Sequence, residues 1–457
     1  MDLIVRGGNI LTPTGFTEAA VAVEDGKIAA IGRESQLHRA QITIDAKGKL
    51  ILPGMIDLHV HFRDPGSPER EDFTTGTSAA AAGGVTTIMD MPNTTPPTVT
   101  AEAFREKKKI GESKAVVDFA LCGGVGVKSI HNTLEIAKEG ASAFKTFMTS
   151  RFEELYSGND ATLLEIFRRV REAGLPCLIH DEDQSIVEAQ INRIRRSGRT
   201  DPEAHTESRP RIAEAHGALK ALTLAREARA RLYLCHTSIP EVVDHASRVR
   251  SEGQSVLVET CAHYLLLTKD LMKKRGVYAK VDPPLRSEEI RQRMFDMFLN
   301  GKIDTLGSDH APYTLQEKEK GGSNIFDAPS GSPGVETTLP VMLDCVNKGM
   351  LSLQRLVQAF SEMPAKIAQL YPTKGCLQTG ADADMAIVDM NKEAIVRADR
   401  LHSKQKYTLF DGWKCRGWPA VTIVRGTIVL QDGEIIGKPG YGQFQKPLFK
   451  HPHVDQN

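Results

Sequence analysis

Eight apolar, β-rich runs, at 55–62, 86–92, 116–123, 143–148, 176–182, 231–238, 255–264 and 304–311, recur through the middle of this chain, and most gaps between them carry a helical pattern. From Ala161 to Ala173, for example, Leu163, Leu164, Ile166, Phe167 and Val170 fall at helical spacing, with Asn159 and Asp160 as caps ahead and Gly174 as the stop behind. Eight strands, each followed by a helix or a long connection over about 250 residues, match the arithmetic of an α/β protein of the (β/α)8 barrel class. A doubly wound open sheet is the competing arrangement. The barrel is preferred because polar residues gather at the C-terminal end of strand after strand, where barrel enzymes carry their chemistry.

The two ends have a different texture. Leu3 to Thr12, Ala19 to Ile31 broken by Asp25-Gly26, and Ile42 to Leu52 broken around Lys47-Gly48 read as short β segments, and Asp-Gly between alternating apolar runs signals a hairpin. The same pattern returns at Ala383 to Asp389 and at Ala420 to Ile436 around Asp432-Gly433, with Ile4-Val5-Arg6-Gly7 echoed by Ile423-Val424-Arg425-Gly426. Neither end has enough strands to bury a face alone, so the two are expected to pack as one small β-sandwich. The expected division is 1–52 and 376–445 for that unit, 53–375 for the barrel and 446–457 for a tail.

A chain of 457 residues with 40% hydrophobic side chains can bury a barrel core and a smaller one. Basic and acidic residues balance at 58 each, which argues against nucleic acid or an anionic membrane as partner and for a small molecule. Seven scattered cysteines suggest buried thiols of a reducing compartment. With no run of about 18 apolar residues and no basic-then-apolar leader at MDLIVRGGN, a cytoplasmic address is expected.

The strand ends carry the candidate chemistry. His59 and His61 end the first run, and residues two apart on a strand face the same way. Lys145 lies within Ala143-Phe144-Lys145-Thr146-Phe147-Met148; burial there is expected to lower its pKa and leave a nucleophilic amine able to add carbon dioxide, giving a bridging carbamate. A snorkelling lysine is the alternative. His180 and His236 end the fifth and sixth runs, and Asp309 the eighth. Six such groups at one rim suit a pair of divalent cations, zinc above all, that lower the pKa of a shared water to make hydroxide. Hydroxide implies hydrolysis.

The run of motifs HVHFRDPG, AFKTFM, LIHDED, LCHTS and GSDHAP, together with the split β unit, resembles the cyclic amidohydrolases of the amidohydrolase superfamily: dihydroorotases, allantoinases, hydantoinases and dihydropyrimidinases. The resemblance spans essentially the whole chain. It implies that His59 and His61 bind one cation with Asp309, that His180 and His236 bind the other, and that carboxylated Lys145 bridges them. It further implies that Asp309 takes the proton from the attacking hydroxide and passes it to the departing ring nitrogen. Arg63 and Asn93 match the dihydroorotase pattern, in which the pair grips a substrate carboxylate. The alternative for Arg63 is a rim salt bridge with Asp64 or Asp72. Tyr313, counted here as a substrate contact, departs from that pattern, which continues with histidine. Ser208-Arg209-Pro210 through Glu214-Ala215 and the run from Lys406 to Gly412 with Tyr441-Gly442-Gln443-Phe444 look closer to allantoinases and hydantoinases. A dihydroorotase-type reaction leads, with allantoin or hydantoin-type rings second, and similar enzymes are commonly homo-oligomers, dimers or tetramers.

Two other classes are weighed. A non-catalytic assembly protein of the same fold need hold no zinc, and a mononuclear deaminase has no use for Lys145. Thr314 to Gly334 is read as a lid or a solvated loop, Ala79 to Gly84 as a small-residue helix start packed on the barrel, and the tail with His451 and His453 as disordered or docked on a neighbouring subunit.

Overall fold

The computed structural model describes residues 1–12, 15–37, 39–150 and 152–448; most of the tail, His451 and His453 included, lies outside them. The central sheet has eight strands, Met55–Val60, Val85–Asp90, Asp118–Gly124, Ala143–Phe147, Cys177–His180, Leu232–Leu234, Val256–Cys261 and Thr305–Gly307, each parallel to the next. Val60 pairs in parallel with His310, and the His61 N–H donates to the His310 carbonyl at 2.8 Å. That contact joins the last strand to the first. The sheet is therefore a closed (β/α)8 barrel and not an open, doubly wound one.

Each predicted run contains a strand, but the sixth and eighth ladders stop well short of 238 and 311. At His236 and Asp309 the backbone enters the left-handed region, with φ of 37° and 47°, so the chain leaves the ladder and presents those side chains to the mouth. Around the barrel, the predicted helix runs Asp160–Glu172; Asn159 caps it by accepting from the Thr162 N–H, and Leu163, Ile166, Phe167 and Val170 are buried. Ala79 to Gly84 is the end of helix Phe73–Ala82, not its start, and Ala79, Ala80 and Ala81 do pack in the core.

The chain ends share one nine-stranded sheet. Its path runs Glu434–Ile435, Thr427–Gln431, Lys414–Val424, Met385–Ile395, Leu50–Pro53, Leu3–Thr12, Gly15–Glu24 and Lys27–Gly32, with Ile42–Asp45 beside Leu3–Thr12. Met385–Ile395 pairs antiparallel with Leu50–Pro53, which joins the two ends. The far edge curls back, the Ile28 N–H donating to Ala381 O at 2.9 Å, so the sheet closes over Val5, Val21, Val23, Ile51, Met385, Ile387 and Ile423. Asp25-Gly26 and Asp432-Gly433 form the turns their residue types require, all four at positive φ. The echoed tetrapeptides differ: Gly426 closes a turn into Thr427, whereas Gly7 lies in a bulge between Val5 and Gly8. Among the described residues no helix is long and apolar enough to cross a membrane, and the seven cysteines are free thiols.

Candidate active site

The ends of the barrel strands bring all six predicted ligand residues together at one mouth. His59 and His61, from the first strand and the residue just beyond it, both aim Nε2 at Asp309: the distances to its Oδ1 are 3.5 and 3.2 Å. From the fifth and sixth strand ends, His180 Nδ1 and His236 Nε2 face each other at 3.2 Å. The His59 and His236 rings, one from each pair, have centroids 5.3 Å apart. Lys145 on the fourth strand is wholly buried, and its Nζ has no oxygen or nitrogen hydrogen-bond partner.

Three of the four imidazoles are oriented from behind. The His59 Nδ1–H donates to Glu259 at 2.7 Å and the His61 Nδ1–H to Asn93 Oδ1 at 2.6 Å, while His180 Nε2 meets Glu182 at 2.8 Å. A hydrogen bond on one ring nitrogen leaves the other as the lone-pair donor, the usual arrangement around a bound metal.

The charges follow from this packing. Burial, reinforced by Arg63, pushes His61 down to about 3, and burial with His180 and Lys145 holds His236 well below its ordinary value. Both are therefore neutral and suited to coordinate. Burial is the largest influence and opposes the His59 cation, but Glu259, Asp309 and Cys235 together outweigh it and raise this ring well above its usual range. Burial likewise opposes the Asp309 anion, yet His59 and His61 hold its carboxyl well below the normal range.

Lys145 departs from the expected depression. Burial does lower it, but the acid groups around it, Cys235 first, then Glu259 and Asp309, prevail and its pKa is raised. A short apolar run shows the desolvation but not the anions that the other strands deliver. As a test of fit, the site holds a wholly buried amine lacking an acceptor and three converging ligand atoms on His59, His61 and Asp309, all within 4.8 Å of one another. Such an arrangement is costly without cations to neutralise the acids and fits a divalent metal centre.

Arg63, at φ 60°, donates to Asn93 O at 3.1 Å and to the Tyr313 hydroxyl at 3.4 Å. The two carboxylates considered as its salt-bridge partners are engaged elsewhere: Asp64 with Lys114 at 2.8 Å, Asp72 at a helix cap and with Lys404. Arg63, Asn93 and Tyr313 line one small cavity with His59, His61, His180, His236 and Asp309, walled by Phe147 and Phe152. This cavity shares Thr149, Arg209, Asp282, Tyr313 and Ser330 with an outer chamber of about 710 Å³. The segment 314–334 is a wall of that chamber. The Lys280 ammonium donates to Ile325 O at 2.7 Å and Ala328 O at 2.5 Å, and Lys318 donates to Pro329 O at 3.0 Å.

The sequence profile of the amidohydrolase family matches residues 50–429. This chain belongs to the amidohydrolase family. It resembles, at 40% identity and a TM-score of 0.95, the structure of an L-hydantoinase (dihydropyrimidinase) from Arthrobacter aurescens, over 97% of this chain and 99% of that one. An allantoinase of Solibacter usitatus is 37% identical over 98% of this chain and 97% of its own length. A dihydroorotase of Methanothermobacter thermautotrophicus is 37% identical over 91% of this chain and 92% of its own. This amidohydrolase is a hydrolase of the cyclic amidohydrolase type.

Sequence reasoning missed Glu259, Glu182, Arg209 and Asp282 as parts of the site. Arg209 lies 3.1 Å from Glu182 and 2.9 Å from Asp282 and so braces the His180 side. Glu259 was the most legible of the four: a carboxylate in the apolar run Val256-Leu257-Val258-Glu259 is costly to bury without a partner.

Proposed function

We propose that this amidohydrolase opens a cyclic amide or ureide ring by hydrolysing its C–N bond, and that the ring carries an anionic group, dihydroorotate leading. In this reading His59, His61 and Asp309 hold one divalent cation, zinc by ligand type, and His180 and His236 hold a second, with Lys145 carboxylated between them. When bound, the cations polarise the scissile carbonyl and lower the pKa of a water molecule. Asp309 accepts the proton of that water and returns it to the ring nitrogen as the bond breaks. His61 is kept in place by Asn93 Oδ1, which leaves Asn93 Nδ2, buried and without a partner, to donate to substrate. Phe147 and Phe152 exclude bulk water from the cavity.

The observation that carries the substrate reading is that Arg63, a guanidinium only 5% exposed, lines the same cavity as the five imidazole and carboxylate ligands. Its fork suits a carboxylate. A ureide of the allantoin or hydantoin type is the second reading, supported by likeness to an L-hydantoinase and an allantoinase and by Tyr313, a neutral phenol, beside the guanidinium.

The test is a side-by-side assay of dihydroorotate, allantoin, hydantoins and dihydrouracil, with metal content measured on the same protein. Arg63→Met is expected to raise KM for dihydroorotate by roughly 10- to 100-fold, the worth of a charged hydrogen-bonded pair, and to leave dihydrouracil, which lacks the carboxylate, nearly unaffected. An equal loss for both substrates would remove the proposed role of Arg63.

A further inference from the structure

The strongest unassigned feature is a single carboxylate that touches both halves of the site. Glu259, on the seventh barrel strand, is wholly buried. Its Oε1 accepts twice, from the His59 Nδ1–H at 2.7 Å and from the backbone N–H of His236 at 2.9 Å. Its Oε2 accepts from the Tyr233 hydroxyl at 2.7 Å, and that hydroxyl lies 2.8 Å from Thr305 Oγ1. The direct contacts come from the ends of the first and sixth strands, and Thr305 on the eighth holds the Tyr233 hydroxyl in turn, so this one group is braced from several sides of the barrel. The fold also makes room for it: a Cβ added at Gly307, on the eighth strand, would sit 2.6 Å from Glu259 Oε2. Nothing larger than glycine leaves the carboxylate where it is.

We infer that Glu259 is a positioning residue that couples the two proposed cation sites, by fixing the His59 ring of the first and the backbone of His236 in the second. The inference rests on the metal-dependent reading above and adds to it. If one carboxylate sets both ligands, loosening it weakens the two sites together. A carboxylate that merely orients one histidine would weaken one site and leave the other intact.

The experiment takes the metal-loaded enzyme, titrates it with a chelator and reads the metal retained by elemental analysis. Glu259→Gln keeps the shape and removes the charge; Gly307→Ala keeps the charge and displaces the carboxylate. Both variants are expected to release both cations together, at a chelator concentration about 10- to 100-fold below wild type. Turnover should fall with kcat, and KM should change little, because Glu259 touches ligands and not substrate. Circular dichroism of the metal-free variants should match wild type, which separates loss of positioning from loss of fold. Retention of both cations at wild-type chelator concentration, or release of one alone, would overturn the coupling. A wild-type enzyme that binds no cation at all would overturn the metal-dependent reading itself, and is recognised before any variant is made.

Discussion

Arg63, His236 and Asp309 occupy the left-handed region at φ of 60°, 37° and 47°, a conformation that costs a non-glycine residue about 1–2 kcal/mol. Each of these residues lines the inner cavity, so the unfavourable backbone sits where the proposed chemistry is. At Asp309 the cost is lowest, because a short polar side chain tolerates this region. Asp309→Asn therefore keeps the backbone and the size of the side chain but removes the proton acceptor. It is expected to lower kcat by roughly 10²- to 10⁴-fold, as read by steady-state kinetics on protein whose metal content is measured alongside. A variant that retained wild-type kcat would exclude Asp309 as the general base. Asp309 and the histidines were recognisable as residue types at strand ends. That His59 and His61 turn Nε2 toward the mouth whereas His180 turns Nδ1 was not, since the orientation depends on Glu259, Asn93 and Glu182 standing behind them.

Helix Arg211–Ala228 packs directly against a strand end that carries a site residue. It meets the end of the fifth strand almost backbone to backbone: a Cβ on Gly217 would fall 1.7 Å from the Asp181 carbonyl oxygen, one residue past His180. In a free helix Gly→Ala gains about 1 kcal/mol. Here overpacking, typically about 1–3 kcal/mol and larger when the obstacle is backbone, opposes that gain and wins. Gly217→Ala should lower the melting temperature by several degrees, with weaker metal retention because the His180 segment must shift; calorimetry and metal analysis check it. A more stable variant would mean the helix can move away freely. The helix itself was only partly readable. Its buried face is mostly alanine, at 213, 218, 221, 225 and 228, while Ile212 and Leu219 are exposed, so its apolar stripe is faint, and the reason for glycine at 217 is a contact with a strand more than thirty residues away.

Across the whole molecule, the β unit and the barrel are joined by charges as well as strands. Lys374 is buried among Asp118 at 2.7 Å, Asp382 at 3.0 Å and Asp384 at 2.7 Å; Asp118, which starts the third barrel strand, also pairs with Arg425 at 3.1 Å. The segment after Ile395 meets residues that follow the eighth barrel strand. There the Tyr407 hydroxyl accepts from the Tyr313 N–H at 2.9 Å, and His402 meets Glu336 at 3.0 Å. The hydrogen bond to Glu336, against partial burial, raises the His402 pKa above its ordinary 6.5. A histidine whose folded pKa is raised stabilises fully below the unfolded value, and that stability is lost as the pH climbs through the folded value. His402→Gln should thus cost about 1 °C in melting temperature at pH 6 and almost nothing at pH 9; a difference that grew with pH would reverse the assignment.

The sequence by itself determined the eight-strand alternation, the Asp-Gly turns, the residue types at the strand ends and the pairing of the two chain ends into one β unit. These are local signals: period 2 against period 3.6, the φ a turn requires, and the expense of burying a polar group. Only the tertiary structure decided the closure of Val60 onto His310, the acids that raise Lys145 against its own burial, and the seat that Gly307 leaves for Glu259. Each of those is a meeting of residues dozens to hundreds of positions apart. Such meetings depend on how strands register and pack around a common axis, and no local periodicity encodes that.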